Sequence, residues 1–137
     1  MKKHLGLFLS ALAVLFGSAG GWFDAHVDKV DLPFVKDSEV LGKWITVDYV
    51  KVPETFKPGQ RQNNPIYVTE LTFLADGKTS LTNLTWTKGT VLDVAGQYAN
   101  SYEIKEIAGD KYLFLQWKTG DYKHLGMKPR YLVLKKE

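Results

Sequence analysis

The chain has 137 residues, of which 18 are Lys or Arg and 15 are Asp or Glu, so its formal net charge at pH 7 is +3. Basic residues are interleaved with acidic ones and form no stripe, which argues against nucleic-acid binding. The absence of Cys excludes a disulfide framework, a thiol-linked lipid anchor and a cysteine nucleophile. The length is that of one ordinary domain, held together by its core alone.

The first nineteen residues have the pattern of a secretory signal peptide. Lys2 and Lys3 give a basic start, residues 5–16 are uncharged and mostly apolar, and small residues end at Ala19. We expect cleavage after Ala19 and a secreted or extracytoplasmic protein. The alternative is an uncleaved membrane anchor, although the apolar run is short for a hydrocarbon core of about 30 Å. Cleavage would leave 16 basic residues against 15 acidic ones, which is a nearly neutral mature protein.

Residues 20–33 show no clear period and are predicted to be an exposed leader segment, ahead of a folded body over 34–137. In that body, Asp37 or Ser38 is placed to cap one short helical turn. A long strand is predicted over 43–52. The polar loop over 53–65 follows, and its three prolines exclude a continuous strand there.

From residue 67 onward, short strands alternate with turn residues, which is typical of a β-meander. Asp76-Gly77 and Ala108-Gly109-Asp110 supply the turn chemistry of tight hairpins. Together with the first strand, the count is about eight. We therefore predict a small, all-β, up-and-down antiparallel barrel, because closure removes the exposed edges of an open sheet. The later predicted strands cover residues 67–74, 79–87, 90–94, 101–107, 111–118, 122–125 and 130–136.

Strand alternation predicts which side chains face the barrel interior. Trp44 and Asp48 would share one face of the first strand. An isolated buried charge is costly, so Asp48 would be paired with a base, lie at the open mouth, or contact a ligand. Aromatic side chains either fill the core or form a ligand cage. The candidate ligand-contacting residues of the interior are Asp48, Tyr67, Trp86, Tyr102, Tyr112 and Phe114.

Few groups are available for a catalytic or metal site. Only one of the three histidines, His124, belongs to the predicted body, and together with Asp121 it offers two ligands where a structural zinc site needs four. No Gly-x-Ser-x-Gly motif is present. We therefore expect a non-enzymatic protein without a cofactor or a metal.

Gly42-Lys43-Trp44, at the start of the first strand, resembles the Gly-x-Trp signature of lipocalins and their fatty-acid-binding relatives, the calycins. The resemblance implies that the indole closes the barrel floor and stacks on a basic residue of the last strand, for which Arg130 is the candidate. More narrowly, the chain looks like an extracytoplasmic lipocalin-like domain of Gram-positive bacteria, a domain also fused to membrane metallopeptidases of the antibiotic-sensor type. The runs that carry this resemblance are residues 41–44, 71–78, 85–89, 117–122 and 126–129.

Two functions follow from this resemblance and from the strand pattern. The leading expectation is a secreted binding module that holds a small apolar or amphipathic ligand in its barrel, under the loop 53–65. A shorter barrel than a typical lipocalin leaves open whether the interior is hollow or filled by side chains. The alternative is a protein-interaction module, either an envelope sensor or an inhibitor of an extracellular enzyme. It is motivated by the strand 112–117, which is apolar on both faces and would expose a patch unless the leader or a partner covers it.

Overall fold

A computed structural model describes residues 28–60 and 68–137. The signal peptide predicted over 1–19 and the candidate site residue Tyr67 lie outside the described residues. The strands are β1 Gly42–Val50, β2 Glu70–Phe73, β3 Thr85–Thr87, β4 Thr90–Asp93, β5 Tyr98–Ile107, β6 Asp110–Trp117 and β7 Arg130–Lys136. A 3₁₀ turn covers Pro53–Thr55 and a short helix, α1, covers Gly120–Leu125.

All the strand pairs are antiparallel, and the strands lie in the order β2-β1-β7-β6-β5-β4-β3. The two edge strands, β2 and β3, are linked by isolated β-bridges to the segment between them. Phe73 pairs with Thr79, and Lys78 pairs with Thr85. The sheet is therefore a nearly closed barrel, which confirms the antiparallel all-β prediction. The described residues contain seven strands, whereas about eight were predicted.

The predicted strand over 79–87 is wrong in its first half, because only Thr85–Thr87 is a strand. The Thr79 hydroxyl donates to the carbonyls of Leu81 and Leu84, both at 2.9 Å, and it accepts the Leu81 N–H at 3.1 Å. Such local bonds from a Thr side chain compete with strand pairing. The chain therefore folds back on itself before it enters β3.

The predicted strand over 122–125 is also wrong, since these residues belong to α1. The helix ends at Gly126, whose left-handed φ of 68° suits a residue without a Cβ. The Gly126 N–H donates to the Tyr122 carbonyl at 3.1 Å, and the Met127 N–H donates to that of Asp121 at 3.3 Å. Four residues are too few for a strand period to be told from one helical turn.

The barrel interior is packed with aliphatic and aromatic side chains. Burying one such side chain fully stabilises the fold by about 1.5–3 kcal/mol, so this cluster is the main source of stability. On β6, Leu113 and Leu115 belong to it and are fully buried. The buried members are Val40, Trp44, Tyr49, Leu71, Phe73, Leu84, Trp86, Val91, Leu113, Leu115, Leu132 and Leu134.

The chain directly after the predicted leader is attached to the barrel at β3. The Val35 N–H donates to the Thr87 hydroxyl oxygen at 2.7 Å, and the Lys88 N–H donates to the Val35 carbonyl at 2.8 Å. The Phe34 ring packs edge-on against the Trp86 indole, with 5.1 Å between centroids. These contacts lie beside the residues predicted to form an exposed leader, 20–33.

A second attachment lies at Asp28, inside that predicted leader. Its carboxylate accepts bonds from the Lys118 ammonium at 2.8 Å, the Ala99 N–H at 2.9 Å and the Tyr122 hydroxyl at 2.9 Å. Burial raises the pKa of Asp28, but the hydrogen bonds from Lys118, Ala99 and Tyr122 outweigh it, so the net pKa lies below its ordinary value. Burial and the bond to Asp28 raise the pKa of Tyr122.

Within the described ranges 28–60 and 68–137, no helix is both long enough and apolar enough to cross a membrane.

Candidate functional site

The Gly-x-Trp segment lies at the start of β1, and its indole belongs to the interior cluster. The Trp44 indole is fully buried and its Nε1–H donates to the Val40 carbonyl at 2.8 Å. The Lys136 ammonium lies 4.8 Å from the centre of the indole and also donates to the Leu41 carbonyl. Gly42, with φ of 108°, turns the chain into β1. A basic residue of the last strand therefore does lie over this indole.

That basic residue is not Arg130, so the predicted Arg130–Trp44 pair is wrong. Because β1 and β7 are antiparallel, the start of β1 lies beside the end of β7, and Trp44 pairs with Lys136. Arg130 pairs with Trp117 at the opposite end of the barrel. There its guanidinium lies 6.0 Å from the centre of the Tyr49 ring.

Two of the predicted interior residues do pack in the barrel interior. Trp86 is buried, and its Nε1–H donates to the Leu74 carbonyl at 2.8 Å. Tyr102 packs against the same cluster, with its ring 5.9 Å from Phe73 and its hydroxyl donating to Asp37 at 2.8 Å. Burial and the neighbouring Asp37 carboxylate raise the pKa of Tyr102. Whether either residue contacts a ligand stays a prediction.

The other two aromatic candidates, Tyr112 and Phe114, lie on the outer face of the sheet, so their predicted interior position is wrong. They alternate along β6 with Leu113 and Leu115, which take the interior positions. We use the term outer face for the outward side of β1, β7, β6 and β5. The rings of Tyr112, Phe114 and Tyr131 on this side are called the aromatic floor.

Asp48 also projects to the outer face, not to the side of Trp44, because β1 contains a bulge. Thr46 pairs with Leu134, but the next pair along β7 is Val133 with Asp48, which leaves Val47 as an extra residue. One inserted residue moves every later side chain of a strand to the other face. The prediction that Trp44 and Asp48 share one face of β1 is therefore wrong.

The Asp48 side chain is buried, with 1% of its surface exposed. Its Oδ1 accepts the Tyr49 N–H at 2.8 Å, whereas Oδ2 has no hydrogen-bond partner. In the part of the chain that the structure describes, Asp48 makes no ion pair and does not lie at an open mouth. A buried carboxylate oxygen without a donor costs free energy.

The outer face is arranged in rows of paired residues. In the central row, Asp48 pairs with Val133, Val133 with Phe114, and Phe114 with Glu103. Directly opposed residues of antiparallel strands project to the same face. The row therefore has a carboxylate at each end and apolar side chains between them. One adjacent row consists of Ile45, Lys135, Tyr112 and Lys105. The other consists of Val50, Tyr131 and Gln116.

A surface segment, Val52–Gln60, crosses the aromatic floor, and we call it the flap. Its one buried side chain is Phe56, whose ring lies 5.0 Å from that of Tyr112 and 5.9 Å from that of Phe114. The flap's hydrogen bonds among the described residues are internal, such as Phe56 N–H to Pro53 carbonyl at 3.1 Å and Gln60 N–H to Lys57 carbonyl at 3.2 Å. Among the described residues, the buried contact of the flap with the sheet is therefore the Phe56 ring.

Two cavities lie beside the flap on the outer face, and Phe56 lines the smaller one. One, of about 230 Å³, is lined by Val47, Phe56, Gly59, Gln60, Tyr112 and Lys135. The other, of about 330 Å³, is lined by Val52, Pro53, Glu54, Ser101, Tyr102, Glu103, Phe114 and Tyr131. The larger one falls in the size range of small-molecule sites. Each joins part of the aromatic floor to charged side chains.

A third cavity lies at the Arg130 end of the barrel. It measures about 100 Å³ and is lined by Trp117, Tyr122 and Met127, among others. Small-molecule sites are usually several times larger. The two cavities beside the flap are therefore the better candidates for a ligand site.

Among the described residues, no group of three or more His, Asp or Glu side chains is placed to hold a metal ion. Asp121 and His124, the pair considered in the sequence, lie in the first and last turns of α1.

Several residues of the outer face and of the Trp44 contact were not expected from the sequence. Phe56 is the main one, and it left a signal, because it is the only large apolar residue in the polar stretch 53–60. Lys136 could have been found from the antiparallel pairing of the first and last strands. Glu54, Glu103 and Tyr131 left no signal of their own, because only the three-dimensional arrangement brings them to one cavity.

The chain has no significant match to any protein-family model, curated protein or solved structure.

Proposed function

We propose that this protein is a secreted, non-enzymatic binding module that takes a small amphipathic ligand on the outer face, beneath the flap. The observation that carries the proposal is Phe56. This ring packs on the aromatic floor and lines the smaller cavity, while Val52, Pro53 and Glu54 of the flap line the larger one. Among the described residues, the backbone hydrogen bonds of the flap are internal to it.

In this proposal Phe56 occupies the place of a ligand's apolar part. A binding site whose competent state is only partly populated has an apparent affinity reduced by that fraction. Removal of the ring should therefore increase affinity, because the ligand no longer competes with the flap. The interior is less suited to a ligand, since its described residues already pack into one buried cluster.

The alternative function, protein interaction, rested on a strand with two apolar faces. Both faces of that strand are covered within the chain, Leu113 and Leu115 by the interior cluster and Tyr112 and Phe114 by Phe56. The small-ligand proposal is therefore preferred.

The test is titration of the protein with N-phenyl-1-naphthylamine, followed by displacement with unlabelled amphiphiles. We expect saturable binding at a single site, and Phe56→Ala should lower the apparent dissociation constant about tenfold for an opening cost of about 1.4 kcal/mol. The matched control is Phe34→Ala, which removes a ring that packs on Trp86 elsewhere on the barrel.

Backbone amide shifts should locate the same site. On addition of the probe, the largest shifts are expected in Val52–Gln60 and in the floor residues of β6 and β7. Absence of saturable binding, or shifts confined to interior positions such as Leu113 and Leu132, would refute the proposal.

A further inference from the structure

The larger cavity on the outer face has a distinct chemistry. Its apolar lining includes Phe114 and Tyr131 of the aromatic floor, and its charged lining consists of the carboxylates of Glu54 and Glu103. Ring faces attract cations, and the attraction is larger where water is excluded. Both kinds of group in this cavity therefore favour a positive charge.

The central row of the face adds another carboxylate. Asp48 and Glu103 stand at its two ends, about 14 Å apart at the backbone over three strand spacings. The Asp48 Oδ2 atom is buried without a donor. Asp48 lines neither cavity, so it adds negative charge to this face without contacting a cation in the larger cavity.

The chain already places one ammonium of its own at this position. The Lys105 Nζ atom lies 5.6 Å from the centre of the Phe114 ring and 3.9 Å from a Glu103 carboxylate oxygen. The Glu103 side chain is largely exposed and that of Lys105 is partly exposed, so the pair is weak and easily exchanged. Lys105 thus marks where an external ammonium could interact with the ring and the carboxylate together.

We propose that the ligand of the outer face is an alkylammonium compound. Its cationic head lies in the 330 Å³ cavity, over Phe114 and beside Glu54 and Glu103. Its apolar chain takes the place of the Phe56 ring. This inference rests on the proposed function and adds the charge of the ligand to it.

The test compares three amphiphiles with the same ten-carbon chain, all below their micelle concentrations, by titration calorimetry. They are decyltrimethylammonium, decyl sulfate and uncharged decyl maltoside. We expect decyltrimethylammonium to bind at one site at least tenfold more tightly than decyl sulfate. Added salt should weaken its binding, because charge attraction at a partly exposed site is screened.

Variants then assign the effect to the cavity. Glu103→Gln and Glu54→Gln should each weaken decyltrimethylammonium binding about twofold to fivefold, the range of a partly exposed charge pair. Lys105→Met should strengthen it, since it removes a competing cation. Glu106→Gln is the matched control, because it changes an exposed glutamate of the same strand that does not line the cavity.

The outcomes separate this inference from the function on which it rests. If decyl sulfate binds as tightly as the ammonium and Phe56→Ala strengthens both, the inference is overturned and the binding function stands. Equal effects of Glu103→Gln, Glu54→Gln and Glu106→Gln on ammonium binding would also overturn it. If none of the three amphiphiles binds at a defined site, both proposals fall.

Discussion

The two apolar layers of this protein are held in different ways. The interior cluster draws side chains from most of the strands and from the turn before β1, and its indoles are fixed by hydrogen bonds from Trp44 to Val40 and from Trp86 to Leu74. The layer on the outer face is completed by one ring, Phe56, on a segment whose own bonds are local. The first layer stabilises the fold, and we expect the second to open while the fold persists.

The difference follows from how each layer is connected along the chain. An interior side chain cannot leave without breaking strand pairs on both sides, and strand pairing is cooperative. Regions with few buried contacts and exposed backbone open locally at lower free energy. The flap meets that description, since Phe56 is its only buried residue. Binding sites are commonly drawn from such regions.

The largest expected effect is at Trp44, in the interior cluster. Trp44→Ala should lower the free energy of unfolding by about 3–5 kcal/mol, as for other buried Trp or Phe truncations. The change removes a fully buried ring, its bond to Val40 and the contact with Lys136. Urea denaturation measures the loss. Lys43→Ala, an exposed change on the same strand, should cost much less, and an equal loss in the two variants would contradict the comparison.

A smaller effect is expected at the flap. Phe56→Ala should lower the free energy of unfolding by about 1.5–3 kcal/mol, the value of burying one Phe side chain. Hydrogen exchange should become faster in Val52–Gln60 while the amides of β6 and β7 keep their protection. If exchange accelerates equally in β6 and β7, the flap belongs to the cooperative core and the distinction between the layers is lost.

Much of the barrel could be predicted because its signals are local. Hairpin turns such as Asp76-Gly77 and a strand period of two fix where chains reverse and which residues alternate. The positions of Trp44 and Trp86 in the interior follow from the same signals. Lys136 was missed although antiparallel order determines it, since the start of β1 must lie beside the end of β7.

The outer face could not be predicted in the same way. The bulge at Val47 has no marker in its residue types, yet it sends Asp48 to the face opposite Trp44. On β6, both faces are apolar, so alternation alone cannot assign Tyr112 to the interior or to the surface. The partner of that second face is Phe56, some 56 residues earlier in the chain. Such a long-range contact leaves no periodic signal.

The attachment of the leader at Asp28 should depend on pH. The pKa of Asp28 in the folded protein lies below its ordinary value, so its stabilising effect is present above that value and is lost as pH falls through the lowered pKa. At neutral pH, Asp28→Asn should lower the free energy of unfolding by about 1.5 kcal/mol, the low end for hydrogen bonds to a charged group.

The difference between Asp28→Asn and the unaltered protein should shrink toward zero in acid, measured by urea denaturation from neutral pH to below pH 4. Asp31→Asn is the matched control, since the ion pair of Asp31 with Lys29 at 3.3 Å is largely exposed and such pairs contribute little. A deficit of Asp28→Asn that is independent of pH would show that the Asp28 charge does not hold the leader.

The smallest effect is expected at Lys136, and it distinguishes Lys136 from Arg130 as the partner of the indole. Burial, together with the nearby charge of Lys111, lowers the pKa of Lys136, which means that the folded protein disfavours the charged form. This cost offsets part of the cation–π attraction to Trp44, which is worth about 0.5–1 kcal/mol at exposed sites. Lys136→Met should therefore lower the free energy of unfolding by only about 0.5 kcal/mol. It should nonetheless shift the NMR resonance of the Trp44 Nε1–H, because a charge 4.8 Å from that ring is lost. Arg130→Met should leave that resonance unchanged, and the opposite result would mean that the strand register at the start of β1 is different.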